Sequence, residues 1–244
     1  MIRIQDLPFF VVHYTPLADR RRHLEQQLAQ HRIGAVDWIT EHDIAHYDLA
    51  AMYDASAERF RRRMSTPFGD LKYGAYRVLS RNEIEVTAQH IEAYRRILQR
   101  RFPHAVILED DVVLERGFLK RLGRYVRQLP EDYDVLYFGA GGRAALHAER
   151  SAWEKVLGAL HRKNVFRREN YQSRYADSYL ISGKAAARIV PQMTTFQFPI
   201  DWEMNYVQTK LTMNVYWAEP TLSRQGSASG RFASGLAAAR RGHA

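Results

Sequence analysis

Short apolar runs alternate with amphipathic stretches along this chain. Phe9-Phe10-Val11-Val12-His13-Tyr14 is a continuous β-rich run and predicts a strand. Thr15-Pro16 offers a helix start, and Leu17, Leu24 and Leu28 recur at helical spacing along Asp19–His31. Ala35–Ile39 predicts a second strand. Ser80-Arg81-Asn82-Glu83 has the form of a capping box, in which serine and glutamate satisfy each other's backbone amides. The helix it opens carries Ile84, Ala88, Ile91, Tyr94 and Leu98 on one stripe and stops before Pro103. Ala105–Leu108 predicts a fully buried strand that runs into Glu109-Asp110-Asp111. A helix with Phe118, Leu122, Tyr125, Val126 and Leu129 aligned comes next, then strands at Asp134–Phe138 and Ala176–Ile181. A helix from Ser182 to about Met193, a helical stretch from Asp201 and a strand at Val215–Ala218 complete the pattern.

Strands separated by helices of this length need crossover connections. They predict an α/β domain with a mainly parallel central sheet and helices on both faces. Residues 42–76 carry a poor signal, read as a loop-rich excursion with an arginine-rich helical piece near 55–64. From Ser223 the composition shifts to Gly, Ser, Ala and Arg, so the domain is drawn over 1–226 and 227–244 is read as a flexible basic tail. In open α/β sheets the chemistry lies beyond the carboxyl ends of the strands. That rule singles out His13–Pro16, Glu109–Asp111 and 139–142.

Composition narrows the chemistry. The 244 residues suit one domain, and 46% hydrophobic with 12% aromatic content is enough for a packed core. The absence of Cys removes disulfides, thiolate metal sites and thiol catalysis, so a metal here must sit on oxygen or imidazole. The first residues do not form a signal peptide and no apolar run reaches the length of a membrane span, which reads as a cytoplasmic protein. A net charge of +9, from 36 Lys+Arg against 27 Asp+Glu, suits nucleic acid, an anionic membrane face or a phosphorylated ligand.

Glu109-Asp110-Asp111 is the sharpest chemical feature. Three carboxylates at the end of a buried strand repel one another unless a cation or donors compensate. Strand alternation would point Glu109 and Asp111 the same way, as a clamp for a hard cation that leaves positions open for phosphate oxygens. The competing reading is a cap for the next helix. The His13-Tyr14-Thr15-Pro16 junction, with Arg20-Arg21-Arg22 one turn on, can face anionic oxygens. It lacks both the dinucleotide and the P-loop glycine patterns. His90, beside the apolar stripe of its helix, is either a hydrogen-bonded core residue or a site residue. Asp201, after an X-Pro turn, is either an N-cap or a general base.

Together, Val78-Leu79-Ser80 with Glu83-Ile84, then Gln89-His90-Ile91, then Val106 through Leu114 around Glu109-Asp110-Asp111, resemble glycosyltransferase family 25. In those lipopolysaccharide-biosynthesis transferases Leu-Ser-x-x-Glu, Ser-His and Glu-Asp-Asp follow in this order. Tyr179-Leu180-Ile181-Ser182-x-x-Ala185, Pro199-Ile200-Asp201 and Gln225 extend the resemblance from about residue 8 to 226. Gln89 departs from the usual serine, and Glu85 stands where a small residue is common.

The resemblance implies a GT-A fold and an inverting transfer of galactose or glucose from a UDP-sugar to a saccharide or lipid-linked saccharide. It implies Mn²⁺ or Mg²⁺ on Asp111, with Glu109 at the other end of a DxD-type motif. His13, Tyr14 and Thr15 would border the base, Glu109 or Asp110 the ribose or sugar, and Ser80, His90 and Gln225 the rest of the donor. Asp201 would deprotonate the acceptor. A basic protein without spans can also contact the anionic face of the inner membrane peripherally. Two other classes compete. A nucleotidyltransferase would use the same carboxylates and release pyrophosphate; a nucleic-acid-binding protein would leave the acidic triplet without a role, and no nucleic-acid motif is present.

Overall fold

A computed structural model describes residues 2–40, 79–139, 152–160, 163–168, 175–196, 198–227 and 230–232. The excursion at 42–76, the end of the 139–142 turn and most of the 227–244 tail lie outside the described residues. Seven strands form the main sheet: β1 (Phe9–Val12), β2 (Val36–Ile39), β3 (His104–Glu109), β5 (Val135–Tyr137), β6 (Val165–Arg167), β7 (Ser178–Ser182) and β8 (Val215–Ala218). Their order is β2-β1-β3-β7-β5-β8-β6. The pairs β1–β2, β1–β3 and β5–β8 are parallel, whereas β7 is antiparallel to both β3 and β5, and β6 to β8. Five of the seven strands therefore point one way, and β7 and β6 run against them. A separate ribbon pairs β4 (Val112–Leu114) with β9 (Ser223–Gln225).

The continuous apolar runs follow from burial on both faces. Phe10, Val12, Ala105, Ile107, Val135, Tyr137, Tyr179, Ile181, Val215 and Trp217 point to one face, where they meet α2 (Arg81–Gln99), α5 (Gly183–Ile189) and α6 (Ile200–Lys210). The residues between them, such as Phe9, Val11, Val106, Leu108, Leu136, Leu180 and Tyr216, meet α1 (Ala18–Gln30) and α3 (Phe118–Val126) on the other. A further short helix, α4 (Ala152–Ala159), precedes β6. The capping box forms as expected: Glu83 N donates to Ser80 Oγ at 3.3 Å, and Ser80 N donates to Glu83 Oε2 at 2.9 Å.

Several elements differ from their sequence-based bounds. β1 stops at Val12, so His13 and Tyr14 lie past its carboxyl end. α5 stops at Ile189 and passes into a 3-10 turn, and α3 ends at Val126, leaving Leu129 beyond it. Register fixes the site: Val12 pairs with both Ile39 and Glu109, and Glu109 N donates to Asp177 O at 2.8 Å just before β7.

Asp134 ties the far side of the sheet together. Buried at the start of β5, its Oδ2 accepts from Asn214 N at 2.8 Å and Arg188 Nη1 at 3.2 Å, and its carbonyl accepts from Ser182 N at 3.0 Å. Hydrogen bonds to a charged group contribute more than neutral ones, and a buried donor left without its acceptor is costly. Asp134→Ala is expected to lower unfolding stability by about 2–4 kcal/mol, read from the urea midpoint at unchanged slope.

Candidate active site

β3 ends at Glu109, and Asp110 and Asp111 form the turn that follows. Alternation therefore stops one residue before it could align Glu109 with Asp111. Glu109 keeps the parity of Ile107 and faces α2, where Oε1 lies 3.7 Å from His90 Nε2. Asp110 turns towards α1. Its Oδ2 meets His13 Nδ1 at 2.8 Å and accepts from Tyr14 N at 3.3 Å, while Oδ1 accepts from Arg20 Nη1 at 3.0 Å. Both oxygens of Asp110 are thus committed to holding the β1–α1 junction.

Asp111 reaches the end of the chain. Its Oδ2 accepts from Ser227 N at 3.2 Å and its carbonyl from Gly226 N at 2.8 Å, with Arg20 Nη1 4.0 Å from Oδ2. Only glycine fits at 226, because a Cβ there would stand 2.6 Å from both Asp111 O and the Phe232 ring. Gly226, Ser227 and residues 230–232 so pack against the site; Phe232 lies under the Arg20 guanidinium at 5.8 Å and edge-on to His23. Asp111 Oδ1 is buried and has no hydrogen-bond partner among the described residues.

Burial raises the Glu109 carboxyl well above its ordinary range, and the neighbouring Asp111, Asp177, Asp110 and Asp201 raise it further. Asp111 is also raised, mainly by burial, with Ser227 and Arg20 opposing. Behind Glu109 runs a buried polar chain: His90 Nδ1 lies 2.8 Å from Tyr179 Oη, which lies 2.6 Å from Tyr94 Oη. Burial pushes His90 down to about 3, so the imidazole is neutral at physiological pH.

A cavity of about 310 Å³ opens above this floor. Tyr14, Leu17 and Arg20 form its α1 wall, Asn82, Glu83, Glu85 and Gln89 its α2 wall, and Pro199, Ile200 and Asp201 its α6 wall. Glu109, Asp110, Asp111, Tyr175, Gln225 and Ser227 also line it. Asp201 is in the first turn of α6 and its Oδ1 accepts from Trp202 N at 3.2 Å; the side chain that reaches back to the preceding loop is that of Glu203, which accepts from Phe198 N at 3.1 Å. Asp201 thus shares the cavity with the acidic turn of β3, although some ninety residues separate them in sequence.

Of the residues singled out in the sequence, Tyr14, Glu109, Asp110, Asp111, Asp201 and Gln225 line the cavity. His13 and His90 lie buried behind it, Thr15 is exposed outside it, and Ser80 spends its hydroxyl on the helix cap. Arg20, Glu85, Gln89, Tyr175, Asp177 and Ser227 were not assigned to the site from sequence. The arginine run gave a signal for Arg20. Gln89 holds the exit of β1 by donating to His13 O at 3.0 Å, which gives the departure from the family's serine a physical role.

Residues 6–204 match glycosyltransferase family 25 (LPS biosynthesis protein). The chain belongs to glycosyltransferase family 25. It is a glycosyltransferase, an enzyme that takes a sugar donor and a saccharide acceptor. No curated protein matches it. Among solved structures it is similar to a glycosyltransferase involved in the glycosylation of the major capsid of PBCV-1, at 7% identity over 97% of each chain with a TM-score of 0.48. It is also similar to mouse xyloside xylosyltransferase 1 in its apo form, at 9% identity over 88% of this chain and 73% of that one, with a TM-score of 0.37.

The transferase has no group of three or more His, Asp or Glu among its described residues placed to cage an ion. Asp111, which lines the cavity, has a buried carboxylate oxygen, Oδ1, without a hydrogen-bond partner among the described residues. That donor set fits a hard cation held by one or two carboxylates and otherwise by water and ligand phosphates. The same cluster carries a stability cost. A carboxyl whose folded pKa is raised destabilises the fold as pH rises above its unfolded value, and the penalty disappears in acid. Glu109→Gln is therefore expected to raise stability at pH 7, a gain that shrinks towards pH 4 in thermal melts.

Proposed function

We propose that this glycosyltransferase is an inverting, metal-dependent hexosyltransferase of GT-A type. It moves galactose or glucose from a UDP-sugar to a saccharide or lipid-linked saccharide acceptor in lipopolysaccharide or cell-surface glycan synthesis. The observation that carries the reading is the shared cavity: Asp201 on the α6 wall, the Asp111 turn on the floor and Arg20 with the start of α1 on the third side. Family membership supports sugar transfer over nucleotidyl transfer or nucleic-acid binding. No helix among the described residues is long and apolar enough to cross a membrane, so a membrane-borne acceptor would be met peripherally, from the cytoplasmic face.

The diphosphate of the donor lies against Arg20 and the backbone N–H groups that open α1, where the helix dipole favours negative charge. Tyr14 borders the base, and Gln225 borders the donor from the β9 end. Asp111, with Glu109 behind it, would hold Mg²⁺ or Mn²⁺, which supplies charge neutralisation for the leaving diphosphate. Asp201 accepts the proton of the acceptor hydroxyl while that oxygen attacks the anomeric carbon from the face opposite the diphosphate. The new glycosidic C–O bond forms as the bond from the anomeric carbon to the diphosphate oxygen breaks, and UDP leaves with the electron pair. His90 stays neutral, with Nδ1 against Tyr179 Oη and Nε2 3.7 Å from Glu109 Oε1.

The test is UDP release from a panel of UDP-sugars with Mn²⁺, Mg²⁺ or EDTA. Slow hydrolysis of one donor, lost with EDTA and in Asp111→Asn, is the expected result. No release and no metal-dependent UDP binding by calorimetry would sink the reading. Asp201→Asn is expected to lower kcat about 10²–10⁴-fold with donor affinity unchanged; near wild-type turnover across pH removes Asp201 as the base. Arg20→Ala is expected to weaken UDP binding about 10–100-fold, the loss of a charge-assisted contact.

A further inference from the structure

Two aromatic side chains line the cavity, Tyr14 and Tyr175, and only Tyr14 has a task in the transfer proposed above. Tyr175 differs from the tyrosines beneath the site. Tyr94, Tyr137 and Tyr179 are buried, with their hydroxyls hydrogen-bonded to one another or to Gln208. Tyr175 is 42% exposed where it meets the cavity. An aromatic ring left open in a polar site gains from an apolar face laid against it.

Strand order sets the two tyrosines on opposite sides of the acidic turn. Tyr14 follows β1, and Tyr175 just precedes β7, with β3 between them. Because β7 runs against β3, it starts at the edge where β1 and β3 end. The bond from Glu109 N to Asp177 O, at 2.8 Å, fastens the approach to β7 beside the acidic turn. α6 packs over this half of the sheet: Gln208 Nε2 donates to Tyr137 Oη of β5 at 2.7 Å. The helix leads into β8, which is parallel to β5, so its first turn opens at the same edge and brings Asp201 there. Tyr175 and Asp201 therefore share the β7 side of the cavity, and Tyr14 and Arg20 share the β1 side.

The chemistry of the β7 side narrows what can lie there. A pyranose presents C–H groups on a ring face, which suit an aromatic ring, and hydroxyls around its edge, which donate to carboxylates. The only cationic side chain among the lining residues is Arg20, and Asp110 holds it on the β1 side. Glu109 and Asp201 instead make the β7 side acidic, so a sugar that itself carries a carboxylate is repelled there. We propose that Tyr175 is the platform on which the accepting ring of a neutral saccharide stacks, with the hydroxyl to be glycosylated directed at Asp201. This rests on the transfer proposed above for the role of Asp201. It adds the residue that holds the acceptor and the charge class of the ring that it takes.

The experiment is saturation-transfer NMR on the full chain with methyl β-galactoside, methyl β-glucoside and methyl β-glucuronide, each with and without UDP and Mg²⁺. Transfer is expected to reach the two neutral glycosides, most strongly at the C–H protons of one ring face, and to be about fivefold weaker or more for the glucuronide. Tyr175→Ala is expected to weaken binding of the neutral glycosides about tenfold, and Tyr175→Phe to keep it, because the platform needs the ring and not the hydroxyl. UDP affinity by calorimetry is expected to stay within about twofold in Tyr175→Ala, since the donor lies on the other side of the acidic turn. Tyr14→Ala is expected to show the reverse pattern. Glycoside binding that Tyr175→Ala leaves unchanged, no binding of either neutral glycoside, or a glucuronide bound as well as the neutral pair overturns the proposal. So does a loss of UDP affinity in Tyr175→Ala with the glycosides unaffected, since the ring would then serve the donor. Tyr175-dependent glycoside binding by a protein that does not bind UDP keeps the platform and sinks the donor reading instead.

Discussion

Three consecutive carboxylates at the end of a buried strand repel one another, and two of them are answered by different parts of the chain. Asp110 is taken by His13, Tyr14 N and Arg20 from the first strand and helix. Asp111 is taken by Gly226 and Ser227 from the last turn. Glu109 faces His90 on the long middle helix, a neutral imidazole that does not offset its charge. Compensation of one short run therefore brings together residues that span most of the sequence. The cavity is the space these contacts leave between them, with α6 adding a further wall.

Much of this fold was legible because burial on both sides of a sheet writes continuous apolar runs, and the capping box writes its helix start in four residues. Strand direction left no such mark. A buried run such as Tyr179-Leu180-Ile181 looks the same whether its neighbours run with it or against it, so the reversal of β7 was invisible. The three-residue strands β4, β6 and β9 are too short for a period, and their pairing depends on contacts far along the chain. Gln27, for example, secures β4 by donating to Val112 O and accepting from Leu114 N. A glutamine on a helix carries no sign of that use.

The site was legible in its ingredients more than in its division of labour. The acidic triplet, Asp201 and the arginine run were all visible as chemistry. Which carboxylate is committed and which has an oxygen to spare was not, because Asp110 is settled by an arginine ninety positions away. Ser80 shows the converse. Its capping box predicted a structural task, and the structure gives its hydroxyl that task.

An acidic pocket inside a protein of net charge +9 sets a further constraint. The basic exterior raises the local concentration of anions, whereas the cluster of Glu109, Asp111 and Asp201 repels an anion that enters the cavity. Arg20 alone does not offset that repulsion, because its guanidinium is already engaged by Asp110. On the proposed function a diphosphate settling here would bring a cation with it, and Asp111 Oδ1 is a buried carboxylate oxygen without a hydrogen-bond partner among the described residues. The like-charge cluster lowers the stability of the protein, and under the proposed function the same repulsion would favour a cation–phosphate pair. Such a cost is retained where the surrounding sheet and helices are stable enough to hold the carboxylates in place, as the two well-buried faces of this sheet are.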